Sequence, residues 1–433
     1  VPTQYKWYQD LLPFNNFLKF RASWGKVGND RLKDSANNDI RFPYLTTVGS
    51  TSSTWGSGLA ESQIGSLYLQ WETSTKTNFG IDMAFLKNRM SANLDFYYDM
   101  GREMFASHQG TSYYPNTVGI QPAPENFGEV DTYGVELSLG WKDKIGKDMS
   151  YWVKLTTGYN DNKIRETGWK AAYDFDKLVR NERSDRGLWG YECIGMFRSY
   201  QEINEYFDKY SITKYLGNTK ENVHPGMLIY KDVRGQYDES TGTFGPADGI
   251  VDEQDYIKIS HRASNPYGGT LNFGFSYKDF SISAQFGASW GAYSLVPTTM
   301  RKESYSEYSN VSAMWKDMFV YEDIYDANNI VTVAQNRNAK YPNIRYSSVN
   351  GAPSTFWKVS AATVQLRNMT VAYALPKEWL KIIGISSCRF NLTCQNVFNF
   401  LNPYPEGAWA SWAGSYGYYP NLRKFTLGVN VSF

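Results

Sequence analysis

From Arg423 to Phe433 the chain alternates without a slip. Phe425, Leu427, Val429, Val431 and Phe433 fall on one side, and Lys424, Thr426, Gly428, Asn430 and Ser432 on the other. A period of two marks a strand with two unlike faces. The pattern recurs along the chain. Leu18, Phe20, Ala22 and Trp24 alternate with Lys19, Arg21 and Ser23, and Thr77–Phe85 and Met90–Tyr98 behave the same way. Further runs cover Tyr133–Trp141, Tyr151–Tyr159, Tyr267–Tyr277, Phe280–Trp290, Val364–Leu375 and Cys388–Cys394. With the last run they predict an all-β fold of about ten strands. Parity flips between Leu366 and Met369, which predicts one extra residue, a β-bulge, near Arg367–Asn368.

The apolar faces of these runs carry no Asp, Glu, Lys or Arg. A soluble sandwich would also keep charge off its inner face, so the placement of aromatic residues decides more. Tyr133 and Trp141 bracket one apolar face, Tyr151 and Tyr159 the next, Tyr267 and Tyr277 another. Eight to ten strand steps cover roughly 26–33 Å. Tilted by about 40°, that is a height of about 20–25 Å, the apolar band of an outer-membrane barrel. Tyr and Trp favour both edges of such a band, having an apolar body and a polar tip.

Connections alternate between short and long. Lys87–Arg89 and Lys278–Asp279 are tight, and "KDKIGKDM" and "PKEWLKIIGIS" are short. The long connections are about 28–75, 101–132, 161–266, 291–362 and 397–422. Short periplasmic turns and long outer loops are the habit of outer-membrane barrels. The predicted architecture is therefore a transmembrane antiparallel β-barrel in a lipid bilayer. Residues 1–17 would be a periplasmic turn, 18–433 the barrel portion, and Phe433 a member of the inner aromatic girdle.

Composition changes this picture little. The net charge of +1 offers no electrostatic case for nucleic acid. No apolar run reaches the ~18 residues of a transmembrane helix, a test that barrel strands escape. "VPTQYKWYQD" shows no signal peptide. Cys388 and Cys394 share one face of one strand six steps apart, roughly 20 Å, so they cannot pair.

Several stretches, in order from about residue 17, resemble the C-terminal half of SusC/RagA-type TonB-dependent transporters of the Bacteroidota outer membrane. They are "FLKFRASWGKVGND", "WETSTKTNFGIDMAFLKNRMSANLDFYYD", "NFGEVDTYGVELSLGW", "PGMLIYKDV", "RNMTVAYALPKEWLKIIGISSCRFNLTCQNVF" and "PNLRKFTLGVNVSF". The resemblance implies a barrel of about 22 strands in a Gram-negative outer membrane, importing a bulky nutrient such as an oligosaccharide or peptide. It also implies a plug, TonB and a SusD-like lipoprotein. Neither a plug domain nor a TonB box is found in this sequence, so contact with TonB is expected through an N-terminal part. The terminal Phe433 resembles the signal read by the outer-membrane assembly machinery. Two other readings remain: an importer-like barrel used as a scaffold subunit, and a self-contained ten-stranded barrel enzyme.

No catalytic constellation supports the enzyme. His108, His224 and His261 lie singly in expected loops, and no G-x-S-x-G, H-E-x-x-H or C-x-x-C occurs. The acidic stretch with Asp232, Asp248, Asp252 and Asp255 resembles part of a calcium loop, since oxygen ligands around a turn glycine suit Ca²⁺. Twelve residues separate Gly235 from Asp248, so a solvated acidic turn is the competing reading. The loop carrying Tyr404, Trp409, Trp412, Tyr416, Tyr418 and Tyr419 is the candidate for ligand or partner contact. Tyr113, Tyr114, Trp55, Trp169 and Trp189 are lesser candidates on other long connections.

Overall fold

The computed structural model describes residues 4–11, 13–32, 39, 42–54, 56–63, 65–66, 68–106, 125–167, 180–238, 240–302, 311–382, 384–401, 404 and 422–433. Ten strands form one sheet: β1 (Asn15–Asn29), β2 (Glu72–Phe85), β3 (Met90–Ala106), β4 (Glu125–Ile145), β5 (Met149–Glu166), β6 (Tyr267–Tyr277), β7 (Phe280–Trp290), β8 (Thr363–Ala374), β9 (Ser387–Asn399) and β10 (Lys424–Ser432). Each is hydrogen-bonded to its neighbour in sequence. This antiparallel meander is what the alternation predicts, because hairpins join consecutive strands. The expected bulge is present too: the β8–β9 register shifts between Leu366 and Asn368. By contacts the chain divides into two compact units, Val1–Arg186 with Pro266–Ser283, and Gly187–Asn265 with Ala284–Phe433.

In the first unit, β1 to β6 pair antiparallel in unbroken order. The β2–β3 turn is tight, with Leu86, Lys87 and Asn88 all at positive φ. A short helix, Lys6–Leu11, precedes β1. The strands outrun their apolar patterns. β3 continues to Ala106 and β4 begins at Glu125, so this connection is shorter than the expected 101–132. Backbone pairing carries the extension, with Phe105 opposite Asn126 and Ala106 opposite Glu125. Buried Asp131 reinforces it, bound to Arg102 at 2.8 Å and Arg165 at 2.5 Å. Polar strands pair as well as apolar ones, but they leave no alternation to read.

In the second unit, the described residues of 187–265 and 291–362, which lie within the expected long connections 161–266 and 291–362, are folded. They fold around a shared core of Phe197, Tyr206, Phe207, Tyr215, Leu228, Tyr230, Phe319 and Val349. A second cluster joins Val296, Met300, Trp315 and Trp357. The Tyr200–Tyr210 helix buries Ile203, Tyr206 and Phe207, one face at helical spacing. Ser199 caps it, its hydroxyl accepting from Glu202 N–H. Burial of large aromatic side chains, each contributing about 1.5–3 kcal/mol, overcomes the entropy of ordering such long segments.

Candidate functional site

The strands present two contrasting faces. On the apolar face, aromatic residues meet across strand pairs. Tyr98 stacks on Tyr133 at 6.3 Å and Tyr159 lies 5.2 Å from Tyr267, forming a row towards the long-connection end. Towards the short-turn end, Trp141 Nε1–H donates to the Tyr151 hydroxyl at 3.1 Å, and Phe14 stacks on Phe85. Between the rows lie aliphatic pairs such as Leu94 opposite Leu137. Within β10, Phe425 is 65% and Leu427 74% exposed, and Phe433 after it is 91% exposed. So much apolar surface is not left to water.

The opposite face is polar and carries an ion cluster. Arg21 Nε meets Asp82 at 2.8 Å, and its Nη2 meets Asp95 at 2.9 Å. Asn93 donates to the same Asp82 carboxylate at 2.7 Å. The guanidinium lies flat across β2 over Gly80; a Cβ there would come within 2.6 Å of Arg21 and Asp95 atoms. This cluster escapes sequence reading because its members come from three strands. Only register brings them together: Gly80 sits opposite both Arg21 and Asp95.

The four aspartates singled out in the sequence lie in the second unit. Fully buried Asp255 accepts from the backbone N–H groups of Val233, Arg234 and Asp252. Asp232 accepts from Gly249 N–H at 2.7 Å. Asp248 and Asp252 each accept from a backbone N–H two residues on. Asp232 and Asp255 come together, and burial raises the pKa of each. The four carboxylates thus fasten a turn. Among the described residues no group of three or more His, Cys, Asp or Glu is arranged to hold a metal.

Of the aromatic candidates, Tyr404 is described. It packs on the Met300–Trp357 cluster, and burial raises its phenol pKa. Trp189 pairs through its backbone with Lys258, whose ammonium lies 5.0 Å from the indole. Trp409, Trp412, Tyr416, Tyr418, Tyr419, Tyr113, Tyr114, Trp55 and Trp169 lie outside the described residues. His224 stacks on Tyr346 at 5.3 Å, as a packing residue would.

Residues 4–182 match the family model described as "TonB dependent receptor-like, beta-barrel". This stretch of the chain resembles TonB-dependent receptor β-barrels. Among the chain's relatives, TonB-dependent receptor P39 of Formosa agariphila is 23% identical over 98% of this chain. TonB-dependent receptor SusC of Bacteroides thetaiotaomicron is 23% identical over 96%. The alignments span 41% and 37% of those relatives, so the chain covers about two-fifths of the length of the curated relatives it matches. In fold it resembles the structure of the RagAB peptide transporter. That likeness has a TM-score of 0.66 at 19% identity and covers 97% of this chain and 41% of the other.

Proposed function

We propose that this receptor barrel portion serves an outer-membrane importer of a bulky nutrient, an oligosaccharide or a peptide, driven through TonB and partnered by a SusD-like surface lipoprotein. The observation that carries the reading is the apolar strand face, bounded at both ends by aromatic rows. Lipid covers that face, and the rows sit at the two water–lipid boundaries. The polar face with Arg21, Asp82 and Asp95 lines an aqueous interior. The long connections then lie outside the cell, where a folded globule in place of bare loops gives a lipoprotein a firm surface to rest on.

Within that globule one hairpin stands out. Ile324–Tyr325 pairs with Val331–Val333, and Ile324, Tyr325, Ile330, Val331 and Val333 are all exposed, Ile330 at 62%. Exposed apolar side chains gathered on one short hairpin mark an interaction surface. We assign it to the lipoprotein. The doubly substituted Ile330→Asp/Val333→Asp protein should still assemble in the outer membrane, with lipoprotein co-purification reduced at least about tenfold, since burying a charge at an interface costs well over 1.4 kcal/mol. Undiminished co-purification would remove the hairpin from the interface. Nutrient uptake that persists in cells lacking TonB would overturn the importer reading itself.

A further inference from the structure

The connection between β8 and β9 is a short helical turn, Lys377–Lys381, set between Pro376 and Gly384. Pro376 has no N–H to give a ladder, so β8 stops before it. Gly384 stands at φ 71° and takes the left-handed backbone that closes the turn. Leu380 roots the helix: it is 1% exposed, and its carbonyl accepts from Ile385 N–H at 3.1 Å. The segment that follows is tied to β10, where Ser386 N–H donates to the Ser432 carbonyl at 2.8 Å.

Although the turn is rooted, its other large apolar side chains face outwards. Trp379 is 61% and Ile382 85% exposed. Spaced by three, they share one side of the helix. Lys377 and Lys381, spaced by four, share another side and are exposed too. Between Leu375 and Cys388 the one acidic residue is Glu378, so the turn is net basic. A tryptophan and an isoleucine on one side with lysines on the other is the pattern of helices that lie in a membrane interface. The neighbouring strands carry the same apolar surface. Tyr373 lies opposite Phe390, Phe390 opposite Val429, and Cys388 opposite Val431. Tyr373, Phe390, Val429, Val431 and the following Phe433 are all exposed. Trp379 and Ile382 thus continue that surface past the strand ends, on the short-turn side.

We propose that the β8–β9 turn lies in the periplasmic leaflet, with Trp379 and Ile382 among the acyl chains and Lys377 and Lys381 on the phosphate of an anionic phospholipid. An ammonium meets phosphate through charge-assisted hydrogen bonds, and tryptophan suits the boundary by its apolar body and polar tip. A protein partner fits less well, because one indole and one aliphatic side chain are far less than an ordinary protein interface buries. The proposal rests on the reading in which lipid covers the strand faces.

The test is photo-crosslinking of the intact outer-membrane protein in nanodiscs of phosphatidylethanolamine and phosphatidylglycerol. p-Benzoylphenylalanine replaces Ile382 in one protein and Leu392, on the apolar face of β9, in another. Mass spectrometry of the adducts should show phospholipid at both positions. At 382 the share of phosphatidylglycerol should be severalfold above its share in the bilayer, and adding Lys377→Gln/Lys381→Gln should return it to the bilayer value. Lipid adducts at 392 with none at 382 would leave the turn in water, and a protein adduct at 382 would mean that a protein covers it. Either result overturns the proposal and leaves the lipid-facing strands standing. An unchanged phosphatidylglycerol share in the double variant overturns it as well. No lipid adduct at 392 would remove the membrane reading itself, and the proposal with it.

Discussion

Asn350 shows how much a single side chain does in the folded globule. It is fully buried. Its Oδ1 accepts from Leu228 N–H at 2.8 Å, and its Nδ2 donates to the carbonyls of Gly226 at 3.0 Å and Asn343 at 2.8 Å. Its own carbonyl accepts from Trp357 Nε1–H at 2.6 Å. One side chain therefore joins a segment before β6 to a segment after β7. Asn350→Ala would leave the Leu228 N–H buried and unpaired, while the Gly226 and Asn343 carbonyls keep the N–H groups of Asn343 and Tyr346, a cost of about 1–3 kcal/mol. The expected outcome is faster protease cleavage within 187–265 while the barrel stays assembled. Asn350→Asp keeps the acceptor but sets a buried carboxylate against two carbonyl oxygens, so its cleavage should be at least as fast as that of Asn350→Ala. Identical cleavage of all three proteins would contradict the linking role.

At the scale of elements, strand faces make opposite demands. Leu137 sits on the apolar face between Leu94 and Thr157, and the next residue, Ser138, faces the polar side with its hydroxyl 3.5 Å from that of Thr156. Leu137→Arg should cost roughly 2–4 kcal/mol near the midplane of a bilayer and lower the amount of folded, heat-modifiable protein in the outer membrane. Ser138→Arg should do far less; equal damage at the two positions would contradict the assignment of faces. Strands such as these were legible because one side meets lipid and the other water, which writes a period of two into the residues. The bulge at Leu366–Asn368 was legible for the same reason, since an extra residue flips the parity. The globule was not. Its aromatic core has no period, and its bonds join residues as far apart as Leu228 and Asn350, a separation of 122 positions. The Arg21 cluster was hidden likewise, because it depends on cross-strand register rather than on neighbours in sequence.

For the whole molecule the question is closure. β1 and β10 stand at the two ends of the sheet order. In hydrocarbon each unpaired backbone group costs several kcal/mol, so an open edge of this length is not stable in a membrane. The chain covers about two-fifths of the length of the relatives it matches, and the larger outer-membrane barrels include 22-stranded transporters. Both edges are therefore expected to pair with further strands rather than with each other. Disulfide trapping in the intact outer-membrane protein distinguishes the cases. Ala22→Cys with Phe79→Cys joins direct partners in β1 and β2 and should cross-link, serving as the positive control. Ala22→Cys with Leu427→Cys, at the two ends of the sheet, should not. An efficient cross-link in the second pair would mean that ten strands close on themselves, and the interior would then be too narrow for a bulky nutrient.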